Sequence, residues 1–204
     1  MKETIINIGR QLGSGGKKVG EMLAQELDIP IYDRTLIDLA AQESGFAKEF
    51  FEKSDEEKGF LKNLLDLHFP FGGGNYYGCC LSDEALFKIQ SDVIRRLAEQ
   101  KASCIFVGRC ADYILRNDPR CINIFITADE ADRIRRIHER HPELTMEQAR
   151  AFMQKADHKR AGYYNYYSCH TWGAAETYHL CINSSVYGLQ GTMEVIRDFI
   201  RRKR

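Results

Sequence analysis

Four glycines fall within eight residues, Gly9-Arg10-Gln11-Leu12-Gly13-Ser14-Gly15-Gly16, between a β-branched run from Thr4 to Ile8 and a helical stripe of Val19, Met22, Leu23 and Leu27. Such a loop lets backbone N–H groups converge on one point, and the helix N-terminus behind it adds partial positive charge, which suits a phosphate. It equally serves a chain that only packs a helix closely on a strand, so the loop alone leaves both readings open. Asp28 and Pro30 stop the helix before a short strand, Ile29 to Tyr32. Residues 4–32 therefore form a strand-helix-strand unit of the parallel-sheet kind.

The rest of the chain repeats that alternation. A helix is expected over Ile37 to Ala41 after Asp33, and helical patterning continues from Ala47 to Leu67 with a charged stretch, Glu52 to Lys58. The segment Phe69-Pro70-Phe71-Gly72-Gly73-Gly74-Asn75-Tyr76-Tyr77-Gly78 breaks the periodicity and reads as a loop or lid. Ser82 is placed to cap a long helix to Lys101, with Leu86, Ile89, Val93, Ile94 and Leu97 on one stripe. Cys104 to Val107 is a continuous apolar run ending in Gly108-Arg109, as expected of a strand buried on both faces. Strands at Ile122 to Thr127 and His179 to Asn183, helices at Asp129 to His141 and Thr145 to Tyr164, and a closing helix from Met193 to Arg202 complete the pattern. Five short strands separated by helices predict an α/β fold, a parallel sheet covered on both faces, in one domain spanning 1–204.

Composition excludes several classes. The 204 residues carry 29 Lys+Arg against 29 Asp+Glu, so no net field draws the chain to nucleic acid or an anionic membrane, and an anionic ligand must be held by local charge. At 44% hydrophobic and 28% charged the chain is globular. No apolar run approaches the roughly 20 residues that span a bilayer, and no signal peptide is visible. Seven cysteines, an odd number with Cys79 beside Cys80, suit a reduced, cytoplasmic protein. His138 and His141, three apart, could seat a metal on a helix face with Cys169 and His170 as further ligands, but no CxxC or HExxH pattern marks a zinc site. The basic end, Arg201 to Arg204, complements the dipole of the last helix.

The glycine loop departs from the strict P-loop pattern GxxxxGK[ST] in every register. Five stretches nevertheless resemble the cytidylate-kinase-like proteins of the P-loop nucleoside monophosphate kinase group, and they run in that family's order. They are Gly9 to Gly16, Ile29 to Asp33, Val107 to Asp112, Asp157 to Tyr164 and Tyr178 to Ser185. The resemblance implies a three-layer α/β/α sandwich of P-loop NTPase type with a five-stranded parallel sheet. It places ATP phosphates at the first loop, with an acceptor nucleotide across the cleft. Position by position, it puts Arg10, Gly13, Ser14, Gly15, Gly16, Lys17 and Lys18 around the donor and Asp33 beside the acceptor. Arg109 falls on the acceptor phosphate, and Asp157 and Arg160 fall on the nucleotide from a lid at about 153–173. Aligned on Gly13-Ser14-Gly15, Gly16 stands where the P-loop lysine belongs and Lys18 where the magnesium-binding hydroxyl belongs, a glycine-rich variant the cytidylate-kinase-like branch shares. Lys17, Lys18 or Arg10 is then left to supply the charge. The acceptor-binding insertion is replaced by an unmatched, variable region at about 59–80.

Physical chemistry assigns the same residues alternative roles. Phosphoryl transfer needs in-line positioning and cations on developing charge more than covalent help. Arg109, at the end of a buried strand, suits a phosphate with its fork, or forms a surface ion pair. Asp33 either organises the acceptor and magnesium-bound water or caps the following helix. Arg133, Arg136 and Arg140 share a helix face; Arg133 and Arg160 are the candidates to reach phosphate, with Glu130, Asp132 and Glu139 available to neutralise such residues as surface pairs. Tyr163, Tyr164, Tyr166, Tyr167 and Trp172 either stack on a base or pack a helix end onto its own domain. The expected activity is magnesium-dependent transfer from ATP to a nucleoside monophosphate, CMP first. Lys17, Lys18, Asp33, Arg109, Arg133 and Arg160 are then the catalytic set, with no nucleic-acid or membrane partner. A non-catalytic nucleotide-binding protein and a kinase for a non-nucleotide small molecule are the alternatives.

Overall fold

A computed structural model describes residues 3–43 and 83–202. In chain order the strands are β1 (Ile5–Arg10), β2 (Ile31–Tyr32), β3 (Cys104–Val107), β4 (Cys121–Thr127) and β5 (Leu180–Asn183). They form one five-stranded, all-parallel sheet in the order β2-β3-β1-β4-β5, with Ile5 opposite both Cys104 and Cys121. The described helices are α1 (Gly16–Leu27), α2 (Arg34–Glu43), α3 (Asp83–Gln100), α4 (Ala111–Ile114), α5 (Glu130–Arg140), α6 (Met146–Ser168) and α7 (Ser184–Arg202).

The two-residue period of the strands builds the three layers. Ile5, Cys104 and Phe106 face one side, where they meet Ile37, Val93, Ile94 and Ile114 from α2, α3 and α4. Ile6, Ile8, Ile105 and Val107 face the other, where they meet Val19 and Leu23 of α1 and Ile196 and Ile200 of α7. Both faces of the central strands are thus dry, which is why those runs are continuously apolar. A third cluster joins Leu12 of the glycine loop to Ile134 and Ile137 of α5 and Ala149 and Met153 of α6. That cluster seats the α5–α6 pair directly on the loop.

Most of the expected elements are present, with shifted bounds. The second strand is two residues long, because the Ile29 amide is spent on the Ala24 carbonyl at the end of α1. The closing helix starts at Ser184 and not at Met193, and is broken at Gly188 (φ 66°, ψ 177°). Thr145 caps α6 through a reciprocal capping box with Gln148, and the helix runs past Tyr164 to Ser168. The aromatic stretch there packs onto its own domain. Tyr164 is buried, Tyr167 stacks on Phe87 at 3.9 Å between centroids, and Trp172 meets Phe125 edge-on. The helical pattern at 47–67, the variable region at 59–80 and the Ser82 cap lie outside the described residues. Among the described residues no helix is long and apolar enough to cross a membrane, and no cluster of three metal-ligating side chains occurs.

Thr145→Ala removes the cap of α6 and is expected to cost about 1 kcal/mol, whereas Phe106→Ala leaves a central cavity and costs about 3–5 kcal/mol, both read from urea unfolding. Asp112 of α4 accepts a 2.7 Å hydrogen bond from the Tyr164 hydroxyl, and burial raises its carboxyl above the ordinary carboxylate value. The folded chain therefore holds that proton longer than the unfolded one. Stability attributable to Asp112 is greatest below about pH 4 and falls as pH rises toward the raised folded value. Asp112→Asn should flatten that slope in unfolding measured across pH 4–8; an unchanged slope would contradict the assignment.

Candidate active site

The C-terminal ends of β1, β2 and β3 open on one edge of the sheet, and there the glycine loop, Asp33 and Arg109 meet. Residues 11–15 leave β1 and turn on local bonds. The Ser14 amide and hydroxyl both donate to the Gln11 carbonyl (3.3 and 2.8 Å), Ser14 Oγ accepts from the Gly16 amide (3.3 Å), and the Val19 amide closes onto Gly15. The first-turn amides of α1 have no acceptor of their own within the helix, so this N-terminus is the natural seat for phosphate oxygens.

Side chains from the far half of the chain hold the loop backbone. Asp157 of α6 accepts from the Leu12 amide at 2.8 Å, and Arg133 Nε of α5 donates to the Leu12 carbonyl at 2.8 Å. The two side chains also form a mostly buried ion pair with each other. Arg136 donates to the Gly13 carbonyl, Ser184 to the Ser14 carbonyl at 2.7 Å, and Arg160 to the Arg10 carbonyl at 3.2 Å. Gly13 (φ +80°) is required here twice over: a Cβ would sit 2.6 Å from the Arg133 carbonyl oxygen, in a backbone conformation that L side chains avoid.

Three guanidinium groups crowd the mouth of the loop. Arg10 is pulled down to about 9 by burial, then by Arg160 and Arg109, with Asp33 pulling the other way. Burial also lowers Arg160, with Asp157 opposing and Arg133 reinforcing the shift. Arg109 is the middle residue of a left-handed run, Gly108 (φ 82°), Arg109 (φ 58°) and Cys110 (φ 54°), conformations costing about 1–2 kcal/mol at each non-glycine residue. The bend turns its guanidinium onto Asp38 Oδ2 (3.4 Å) and over the ring of Tyr163 (5.5 Å). Its Nε is buried with no hydrogen-bond partner among the described residues. Asp38 is itself shared with Arg34 and with Gln90, whose carbonyl accepts from Tyr163.

Asp33 takes the anticipated role of helix cap and adds an ion pair that spacing did not mark. One oxygen accepts from the Leu36 amide at 3.1 Å as a helix cap; the other pairs with Lys17 Nζ at 2.7 Å. Burial pulls the Asp33 carboxyl up, but the bonds from Lys17 and from the Leu36 and Thr35 amides outweigh it and hold the group below the ordinary value. Lys18 is placed elsewhere: it reaches Glu21 (3.7 Å) and lines an open groove of about 650 Å³ along the outer side of α1, with Gln25, Pro30 and Ile31. Arg133 and Asp157 reach the loop's backbone. Arg135 makes the surface pairs anticipated for this helix, with Asp132 and Glu139. Asp38, Gln90, Arg136 and Ser184 were not foreseen as site residues. Ser184 could have been, since it follows the last strand at the same sheet edge, whereas nothing in the local pattern marks Asp38 as the partner of a residue 71 positions on.

The cytidylate kinase-like family pattern matches residues 5–186. No curated protein matches the chain. Among solved structures, an uncharacterized protein from Eubacterium ventriosum is similar at 28% identity over 98% of this chain and 99% of its own, with a TM-score of 0.75. A shikimate kinase from Bacteroides thetaiotaomicron covers 97% of this chain and 98% of its own (13% identity, TM-score 0.54). A gluconokinase from Sinorhizobium meliloti covers 100% and 99% (12% identity, TM-score 0.50). These two share the fold, a P-loop kinase sheet, and family membership adds support for kinase-type phosphoryl transfer. Because the family match runs from the first strand into the last helix, the chain belongs to the cytidylate kinase-like family.

Proposed function

We propose that the protein transfers the γ-phosphoryl group of ATP to the phosphate of a nucleoside monophosphate, CMP first. The observation that carries this reading is the convergence of Arg10, Arg109 and Arg160 on the glycine loop, with Asp38 the one carboxylate among the described residues bonded to any of the three guanidinium groups at that mouth. Joining two phosphate-bearing molecules is opposed first by their mutual repulsion, and fixed cations in a partly enclosed cleft remove that barrier.

In this reading the loop amides and the N-terminus of α1 hold the donor phosphates, and Arg160 and Arg109 reach phosphate oxygens. Arg109, over Tyr163 and beside Asp38, grips the acceptor phosphate. An acceptor oxygen forms the new bond to the γ-phosphorus as the bond to the β,γ-bridging oxygen breaks, leaving ADP. A nucleoside monophosphate presents an oxygen that is already largely ionised near pH 7, its second pKa being about 6, so no base is needed. The state of Asp33 supports an acceptor of that kind: tied to Lys17 and to a helix terminus with a lowered pKa, it is a weak proton acceptor. Magnesium would enter with ATP and spread charge over the phosphates. With Lys18 at the usual hydroxyl position and Ser14 Oγ engaged within the loop, Asp33 is the nearby group suited to hold its water shell.

An ADP-release assay with magnesium-saturated ATP, run across nucleoside monophosphates and across hydroxyl acceptors such as shikimate and gluconate, tests the reading. Turnover is expected with CMP. ATP binding without turnover on any acceptor would instead support the non-catalytic reading that the altered loop motif also suggests, and turnover on a hydroxyl acid alone would move the acceptor outside the nucleotides. Arg109→Lys keeps the charge but loses the planar fork; it should raise the acceptor KM about tenfold or more and leave ATP affinity near wild type. Asp157→Ala strips the partner from a buried guanidinium and frees the Leu12 amide. It is expected to cost about 3–5 kcal/mol of stability by denaturant titration and to raise the KM for ATP more than that for the acceptor.

A further inference from the structure

Gly16 begins α1 with an ordinary helical backbone, so its identity is not explained by conformation. Glycine there is a disadvantage of roughly 0.5–1 kcal/mol against alanine. The space beside it gives the reason: a Cβ at position 16 would lie 2.6 Å from Arg10 Cβ and 3.1 Å from Arg10 Cγ. The direction in which a P-loop lysine would leave the helix is filled by the stem of Arg10. At its other end the same side chain lies against Gly108, where a Cβ would come within 2.1 Å of Arg10 Nη1. Two glycines, far apart in sequence, leave the channel through which Arg10 runs from the end of β1, across the start of α1, to the loop that carries Arg109.

The guanidinium so placed has no ion-pair partner among the described residues, although it is largely enclosed and has Arg160 and Arg109 as neighbours. Leaving a cation enclosed beside two others is costly unless an anion joins them. Resting on the reading of this loop as a donor-phosphate site, we infer that Arg10 carries the phosphate-neutralising charge of the P-loop lysine, transposed from the helix start to the end of the first strand, with Gly16 as its steric complement. Positions 10 and 16 are one unit, in which a cationic side chain at one requires a glycine at the other. Lys17 and Lys18, engaged with Asp33 and Glu21, are not its source.

Titration calorimetry of the full chain with MgATP and, separately, with inorganic tripolyphosphate tests the exchange without an acceptor. Arg10→Gln should weaken both probes about 10- to 100-fold, the scale of a lost charge-assisted contact, and Arg10→Lys less. Gly16→Lys alone should also weaken binding, because its side chain meets the Arg10 stem. The double exchange Arg10→Gly with Gly16→Lys should bind more tightly than either Arg10→Gln or Gly16→Lys, a rescue that an arginine of purely structural importance would not give. Melting curves followed by circular dichroism confirm that each variant is folded. Wild-type affinity in folded Arg10→Gln, or a double exchange no better than Gly16→Lys, overturns the inference while leaving the kinase reading intact. Failure of the wild-type chain to bind either probe overturns both.

Discussion

The backbone of Leu12 is gripped at both ends by one ion pair: Asp157 takes its amide and Arg133 gives to its carbonyl. A glycine-rich loop has more conformations to lose than any other segment, and local bonds around Ser14 fix only part of it. The α5–α6 pair supplies the rest through Arg133, Arg136, Asp157 and Arg160, each reaching backbone atoms of residues 10–13. Replacing such a pair with well-packed apolar residues is often neutral or better for stability. Its value here is geometric, because an apolar pair could not hold the Leu12 amide and carbonyl at fixed angles. The loop is therefore shaped by a helix pair more than a hundred residues downstream, and any movement of that pair moves the loop with it.

The same dependence explains why so much of the layered architecture was legible in the sequence and so much of the site was not. Strands buried on both faces declare themselves as continuous apolar runs, and Ile5 to Ile8, Cys104 to Val107 and Ile122 to Thr127 sit in the sheet where the pattern places them. Helix signals worked where they are local, as at Thr145 with Gln148. The last helix is legible only from Met193 onward because Gly188 interrupts its periodicity, hiding the turn in which Ser184 reaches back to the Ser14 carbonyl. The hydrogen bonds that tie the glycine loop to the last three helices, and Arg109 to Asp38, join residues separated by 71 to 170 positions. No periodicity encodes such distances, so the arginines could be named from sequence while their partners could not. Arg133 shows the consequence: spacing makes it a candidate to reach phosphate, while the fold shows its guanidinium bound to the Leu12 carbonyl and to Asp157.

A chain with no net charge nonetheless concentrates cations at one edge of its sheet, and the choice of arginine for them follows from the surroundings. A lysine ammonium in a partly desolvated cleft beside two other cations would release its proton readily. A guanidinium resists this: Arg10 is displaced downward by burial and by its neighbours, yet starts so high that it remains charged near neutral pH. A lysine at the start of a helix can rely on a shell of amides and a metal-bound nucleotide. A cation placed between Gly108 and Gly16, with Arg109 and Arg160 beside it, needs a group that keeps its charge before the anion arrives. If Arg10 carries the loop's phosphate-neutralising charge, the absent lysine and the surplus of arginines share one physical explanation: at the end of the first strand the more strongly basic side chain keeps its charge best.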